Sequence, residues 1–106
     1  MSFAYIWEYR VKADRIEAFR RVYGPDGDWV QLFLRAEGYV RTELYQNVDD
    51  PTRFVTTDFW TSKTARDTFR ETFRAEFEEL DERCEALTIE ERCLGDFDVA
   101  TVSRHP

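Results

Sequence analysis

Apolar and polar positions alternate at the start of the chain. Phe3, Tyr5, Trp7, Tyr9 and Val11 fall on one face and Ala4, Ile6, Glu8 and Arg10 on the other, which predicts a strand. The period then changes. Ile16, Phe19 and Tyr23 recur at helical spacing, so residues 13–23 are expected to be a helix, stopped by Gly24-Pro25-Asp26-Gly27. Asp28 is placed to cap a short second helical piece, Trp29 to Ala36, that Gly38 ends. Tyr39 to Gln46 alternates again, with Val40, Thr42 and Leu44 set against Tyr39, Arg41, Glu43 and Tyr45. A turn rich in Asn, Asp and Pro at 47–52 leads into a third strand, Arg53 to Trp60. Ser62 caps what reads as one long helix to about Leu87. Its apolar stripe is Ala65, Phe69, Phe73, Phe77, Leu80, Cys84 and Leu87. Its other face, with Arg66, Arg70, Arg74, Glu78, Glu82 and Glu85, reads as solvated. Thr88 to about Asp96 is the last strand.

The order β-α-β, β-α-β predicts an α+β, ferredoxin-like domain over residues 1–98. It has a four-stranded antiparallel sheet with both helices on one face, followed by a frayed tail at 99–106. The other sheet face has to be covered. Ile6, Phe54 and Trp60 are expected there, and a second copy of the same sheet is the simplest cover, which makes a two-fold dimer.

Composition narrows the choice of function. Of 106 residues, 42% are hydrophobic and 16% aromatic, enough for a core with aromatics to spare for an interface or a cavity. The formal net charge of -7 speaks against nucleic acid and against anionic membranes as partners. No basic segment precedes an apolar run, and no apolar stretch approaches the ~20 residues of a membrane span, so a cytoplasmic protein is expected. Cys84 and Cys93 fit no metal pattern and are expected to pack as reduced, small apolar groups. No metal or other cofactor is implied by a ligand cluster or Gly-rich fingerprint.

Tyr9-Arg10-Val11-Lys12, Gly38-Tyr39, Asp49-Asp50-Pro51-Thr52-Arg53-Phe54 and Trp60-Thr61-Ser62 follow one another in a spacing that covers about 90 residues. In this the chain resembles the antibiotic biosynthesis monooxygenase family of dimeric α/β barrels. The resemblance implies a homodimer and a pocket between sheet and helices. It also implies cofactor-free oxidation of phenolic, anthrone or quinol compounds, in which proton removal makes the substrate anion reactive toward O2. Trp60 matches a pocket tryptophan of the anthrone-oxidising members. Thr56 stands where they carry asparagine, and Arg66 where they carry tyrosine. The residues of the haem-degrading branch are replaced by Ile6, Phe69 and Glu79, and the single histidine, His105, lies in the tail.

The resemblance implies that Glu8, Arg10, Thr56, Asp58 and Trp60 share one cleft between the two sheets. Asp58 or Glu8 would be the base, Arg10 or Thr56 the oxyanion holder, and Trp60, Ile6, Arg66 and Phe69 the pocket wall. Glu8, Asp58 and Arg10 read equally as a structural salt bridge at a dimer interface. Trp60 reads equally as a core anchor, and Tyr5, Trp7 and Tyr9 as helix-packing residues. Trp29 and Phe33 are candidates for a lid. Two functions follow: a cofactor-independent monooxygenase for a small aromatic compound, or a non-catalytic dimeric protein that binds a small hydrophobic molecule or is stress-associated.

Overall fold

The computed structural model describes residues 2–102. Strands β1 (Phe3–Val11), β2 (Tyr39–Gln46), β3 (Arg53–Trp60) and β4 (Thr88–Asp98) form one antiparallel sheet in the order β2-β3-β1-β4. Between β1 and β2 lie helices α1 (Ile16–Tyr23) and α2 (Asp28–Phe33). Between β3 and β4 lie α3 (Lys63–Thr72), α4 (Arg74–Cys84) and a single 3-10 turn at Glu85–Leu87. This is the expected ferredoxin-like α+β fold.

The first three strands fall at the boundaries the alternation predicts, and β4 runs two residues further, to Asp98. The helices differ more. Residues 13–15 stay outside α1, because the Arg15 N–H donates to the Lys12 carbonyl and forms a turn. Asp28 lies in the first turn of α2 and Gly27 takes the cap position. The helix after Ser62 is two helices. At Phe73 the backbone leaves helical geometry (φ -109°, ψ 29°), and α4 starts afresh. The Ser62 hydroxyl does accept from the Ala65 N–H, as the cap predicts. Residues 99–102 form no helix or strand, and Val99 N–H donates to the Ser2 carbonyl. His105 and the rest of the proposed tail lie outside the described residues. Among the described residues, no helix is long and apolar enough to cross a membrane.

Register decides what each sheet face carries. On β1 and β3, Phe3 pairs with Trp60, Tyr5 with Asp58, Trp7 with Thr56 and Tyr9 with Phe54. Paired residues share a face, and this face packs under the helices. Phe19 of α1 stacks on Tyr23 at 4.1 Å and meets Phe54 at 4.8 Å, while Phe33 of α2 and Phe69 of α3 meet Trp60 at 5.7 Å and 5.2 Å. Phe54 and Trp60 therefore belong to the core on the helix side, not to the open face where the sequence pattern placed them. The open face carries Ile6, Glu8, Arg10, Val55, Phe59 and Phe97.

Gly38 sets the entry to β2. Its φ is +89°, and an added Cβ would come within 2.6 Å of Ala65 Cβ and 2.8 Å of Thr61 Oγ1. Its carbonyl accepts from the Thr61 N–H at 2.7 Å, tying the start of β2 to the end of β3. Gly38→Ala is both strained and crowded there. Denaturant unfolding of this variant should show a loss of more than about 1 kcal/mol; stability equal to the parent protein would contradict the geometry.

Candidate functional site

The helix side of the sheet encloses a cavity of about 60 Å³. Its walls are aromatic: Tyr5, Trp7 and Tyr9 from β1, Trp29 and Phe33 from α2, Trp60 from β3, Phe69 from α3 and Phe77 from α4. The β1 rings come from consecutive odd positions of the strand and the helix rings from positions four or eight apart, so alternation and helical period together aim them inward.

Asp58 is the polar centre of this cavity. The strand pairing places it between Tyr5 of β1 and Thr42 of β2, on the helix side. It is 9% exposed, and burial pushes its carboxyl up from 3.8 to about 7. One hydrogen bond works against that shift: Thr42 Oγ1 donates to Asp58 Oδ1 at 2.7 Å. Tyr39 hydroxyl lies 2.7 Å from the same Thr42 oxygen. Neither Thr42 nor Tyr39 is among the site residues expected from the sequence. Thr42 was visible as the one hydroxyl in the row Val40, Thr42, Leu44. Tyr39 was not, because the pairing of β2 shifts between Tyr39 and Arg41 and turns Tyr39 onto the side of Thr42.

The other expected residues divide between the two faces. Thr56 is buried on the helix side, its hydroxyl 3.3 Å from that of Tyr9, whose own pKa burial raises well above the ordinary value. Trp60 and Phe69 are 1% and 2% exposed and pack on one another beside Asp58's end of the cavity. Arg66 is a correction to its reading as part of a solvated helix face. It is buried, and its guanidinium makes two bonds to Asp96 at 3.2 Å and 3.0 Å and one to Asp67 at 2.9 Å. It lies 4.2 Å above the Tyr5 ring and walls one side of the cavity. Trp29 and Phe33 are buried wall residues rather than a lid.

Glu8, Arg10 and Ile6 do not join this group. They alternate out of phase with Tyr5, Trp7 and Tyr9, so they project from the open face. Glu8 bonds Arg53 at 3.2 Å and Arg92 at 3.3 Å, and the Arg53 bond holds its carboxyl below the usual range. Arg10 pairs with Asp50 at 3.3 Å. The single cleft expected for Glu8, Arg10, Thr56, Asp58 and Trp60 is thus split by the thickness of the sheet. Cys84 is buried as expected, but Cys93 is exposed on the edge strand β4. Among the described residues, no group of three or more His, Cys, Asp or Glu is placed to hold a metal ion.

The architecture is that of a small α+β, ferredoxin-like protein with a carboxylate sunk in an aromatic cavity under its helices. The sequence profile of the family described as "Antibiotic biosynthesis monooxygenase" matches residues 2–79. The chain belongs to that family. Solved structures agree on the fold. The chain is similar to a putative antibiotic biosynthesis monooxygenase from Nitrosomonas europaea (21% identity, 96% of this chain and 94% of that one, TM-score 0.72). It is also similar to SnoaB, a cofactor-independent oxygenase from Streptomyces nogalater (20% identity, 95% of each chain, TM-score 0.70). A putative antibiotic biosynthesis monooxygenase from Deinococcus radiodurans superposes over 100% of this chain and 99% of that one (11% identity, TM-score 0.77). No curated protein matches the chain closely enough to count as a relative.

Burying Asp58 links it to stability. Below pH 3.8 the carboxyl is protonated in both the folded and the unfolded chain, and its contribution is fully present. As pH rises toward about 7 the unfolded chain ionises first, so stability is lost through that window and is flat above it. A shift of about three units corresponds to roughly 4 kcal/mol. The stability difference between the parent protein and Asp58→Asn should therefore fall by roughly that much between about pH 4 and about pH 8, measured by denaturant unfolding. A difference independent of pH would show that Asp58 ionises normally in the folded protein.

Proposed function

We propose that the protein is a cofactor-independent monooxygenase that oxidises a small quinol, anthrone or polyketide-like aromatic compound with O2. The observation that carries this reading is Asp58: a carboxylate with a pKa of about 7, enclosed by aromatic rings and held by a hydroxyl on one side only. A group poised near neutral pH takes a proton from a weakly acidic substrate with the least penalty. The resulting carbanion or phenolate is the electron source. For an anthrone, a CH2 group and O2 become C=O and H2O, with all four electrons supplied by the substrate. Trp60 and Phe69 offer flat apolar surface to the rings. Tyr9 and Thr56 share one hydrogen bond, so one of their two hydroxyl protons remains free to donate to the developing oxyanion. Glu8 and Arg10 have no part in this chemistry. SnoaB, described as a cofactor-independent oxygenase, has the same fold, which supports the reading by analogy.

The open face of the sheet supports a homodimer. It sets Ile6, Val55, Phe59 and Phe97 among ion pairs such as Arg53–Glu8 and Arg41–Glu43, a mixture suited to a matching copy of itself. The second reading, a non-catalytic binding or stress-associated dimer, is favoured by one observation: about 60 Å³ of free space is below the ~300 Å³ of a usual ligand pocket. On the first reading, ring binding moves side chains of the cavity wall.

Oxygen uptake with a panel of anthrones and quinols separates the two. The oxygenase reading predicts turnover that falls about 100-fold or more in Asp58→Asn and also falls in Trp60→Phe, while Glu8→Gln keeps its rate. No uptake above background, or rates unaltered in Asp58→Asn and Trp60→Phe, would sink it. A monomer by light scattering at micromolar concentration counts against both readings.

A further inference from the structure

Asp58 Oδ1 accepts from Thr42 Oγ1 at 2.7 Å. A threonine hydroxyl has one proton, and this bond uses it. The 2.7 Å contact between Tyr39 hydroxyl and the same Oγ1 must then run the other way, with Tyr39 donating to Thr42. The three groups form a directed chain, Tyr39 O–H to Thr42 O–H to the Asp58 carboxylate, along neighbouring strands β2 and β3. Its geometry depends on the irregularity at Val40. Because pairing shifts there, Tyr39 and Thr42 lie on one side although they are three residues apart in a strand. Tyr39 is held by ring contacts with Trp60 at 5.4 Å and Phe33 at 5.3 Å.

The chain also distinguishes the two carboxylate oxygens. Oδ2 carries no hydrogen bond among the described residues. Trp29 Nε1 is the fully enclosed side-chain polar atom left without a partner among them, so Oδ2 is not sealed off, and Asp58 is one of the residues that line the cavity. The other titratable groups that face this space are Tyr5 and Tyr9 on β1, Tyr23 on α1, Arg66 and Arg70 on α3, Asp81 on α4 and Glu91 on β4. Arg66 is committed to Asp96 and Asp67, and Arg70 bonds the Tyr5 hydroxyl. No cation pairs with Asp58 among the described residues, so hydroxyl donors are its means of stabilising charge.

We propose that Tyr39 and Thr42 are positioning residues that hold Asp58 through a two-bond relay, tune its basicity, and leave Oδ2 as the atom that meets the substrate. The proposal rests on Asp58 being the base, as argued under Proposed function. Each donor stabilises the ionised carboxylate, and Tyr39 acts only through Thr42.

The test needs no substrate. The Asp58 carboxyl carbon is followed by 13C NMR across pH, its signal assigned by its absence in Asp58→Asn. Loss of a hydrogen bond to a charged group is worth about one pKa unit or slightly more. Thr42→Val should raise the Asp58 midpoint by about that much, and Thr42→Ser should restore it. Tyr39→Phe should give a smaller upward shift, and should add nothing when combined with Thr42→Val. An unmoved midpoint in Thr42→Val, or a Tyr39→Phe shift that persists in the Thr42→Val background, overturns the relay. If Thr42→Val does not fold, the pair Tyr39→Phe and Thr42→Ser carries the same decision: a shift in the first and none in the second supports the relay, and the absence of the first overturns it. Oxygen uptake decides separately whether Asp58 is a catalytic base, so failure of that reading and failure of the relay give different results.

Discussion

The pairing of β1 with β3 is the constraint on which everything else in this molecule depends. With Phe3 opposite Trp60 and Tyr9 opposite Phe54, every second residue of β3 is driven under the helices. Trp60 and Phe54 are almost wholly buried, and exposing both to water would forfeit several kcal/mol. A slip of one residue would exchange the two faces of the strand. Asp58 lies between those two anchors in the same phase. Its burial is imposed by its neighbours, and its raised pKa follows from that burial.

Charge is treated differently on the two sides of the sheet. On the open side, carboxylates and guanidinia occur in pairs, as in Glu8 with Arg53 and Arg92, and the Arg53 bond holds the Glu8 carboxyl below its usual range. On the helix side, Arg66 is matched by Asp96 and Asp67. Asp58 has a hydroxyl for a partner instead of a cation. A lone carboxylate in an apolar site is costly to ionise, and a fold gains nothing in stability from keeping one there. Such groups concentrate at functional sites. Membership of the antibiotic biosynthesis monooxygenase family gives that general expectation a specific chemistry to be tested.

The fold was largely legible in the sequence, and the site only in part. Clean alternation marked β1, and turn residues bounded β2 and β3, so their ends were readable. The break at Phe73 was not, because Phe69, Phe73 and Phe77 continue an unbroken helical spacing across it. The phase of β3 was ambiguous for a different reason. Val55 and Phe59 on one face are as suited to burial as Phe54 and Trp60 on the other, so only the partner strand decides. That is why Asp58, Thr56 and Trp60 were grouped with Glu8 and Arg10, from which the sheet separates them. Arg66 reads as solvated from the helix pattern alone, because a charged residue on a polar helix face looks so until Asp96 is brought to it by a distant strand; the family resemblance puts it in the pocket wall, where it lies. Tyr39 depended on a local shift in pairing that no residue type announces.

The central claim is that chemistry occurs under the helices at Asp58 and not on the open sheet face. A crystal structure of the protein in complex with a hydroxylated aromatic ligand, a naphthoquinol for example, tests this most directly. The predicted result is a ring against Trp60 and Phe69, with the cavity widened and a hydroxyl within hydrogen-bonding reach of Asp58 Oδ2. A ligand seated on the open face beside Glu8 and Arg10, with the Asp58 cavity unchanged, would contradict the account.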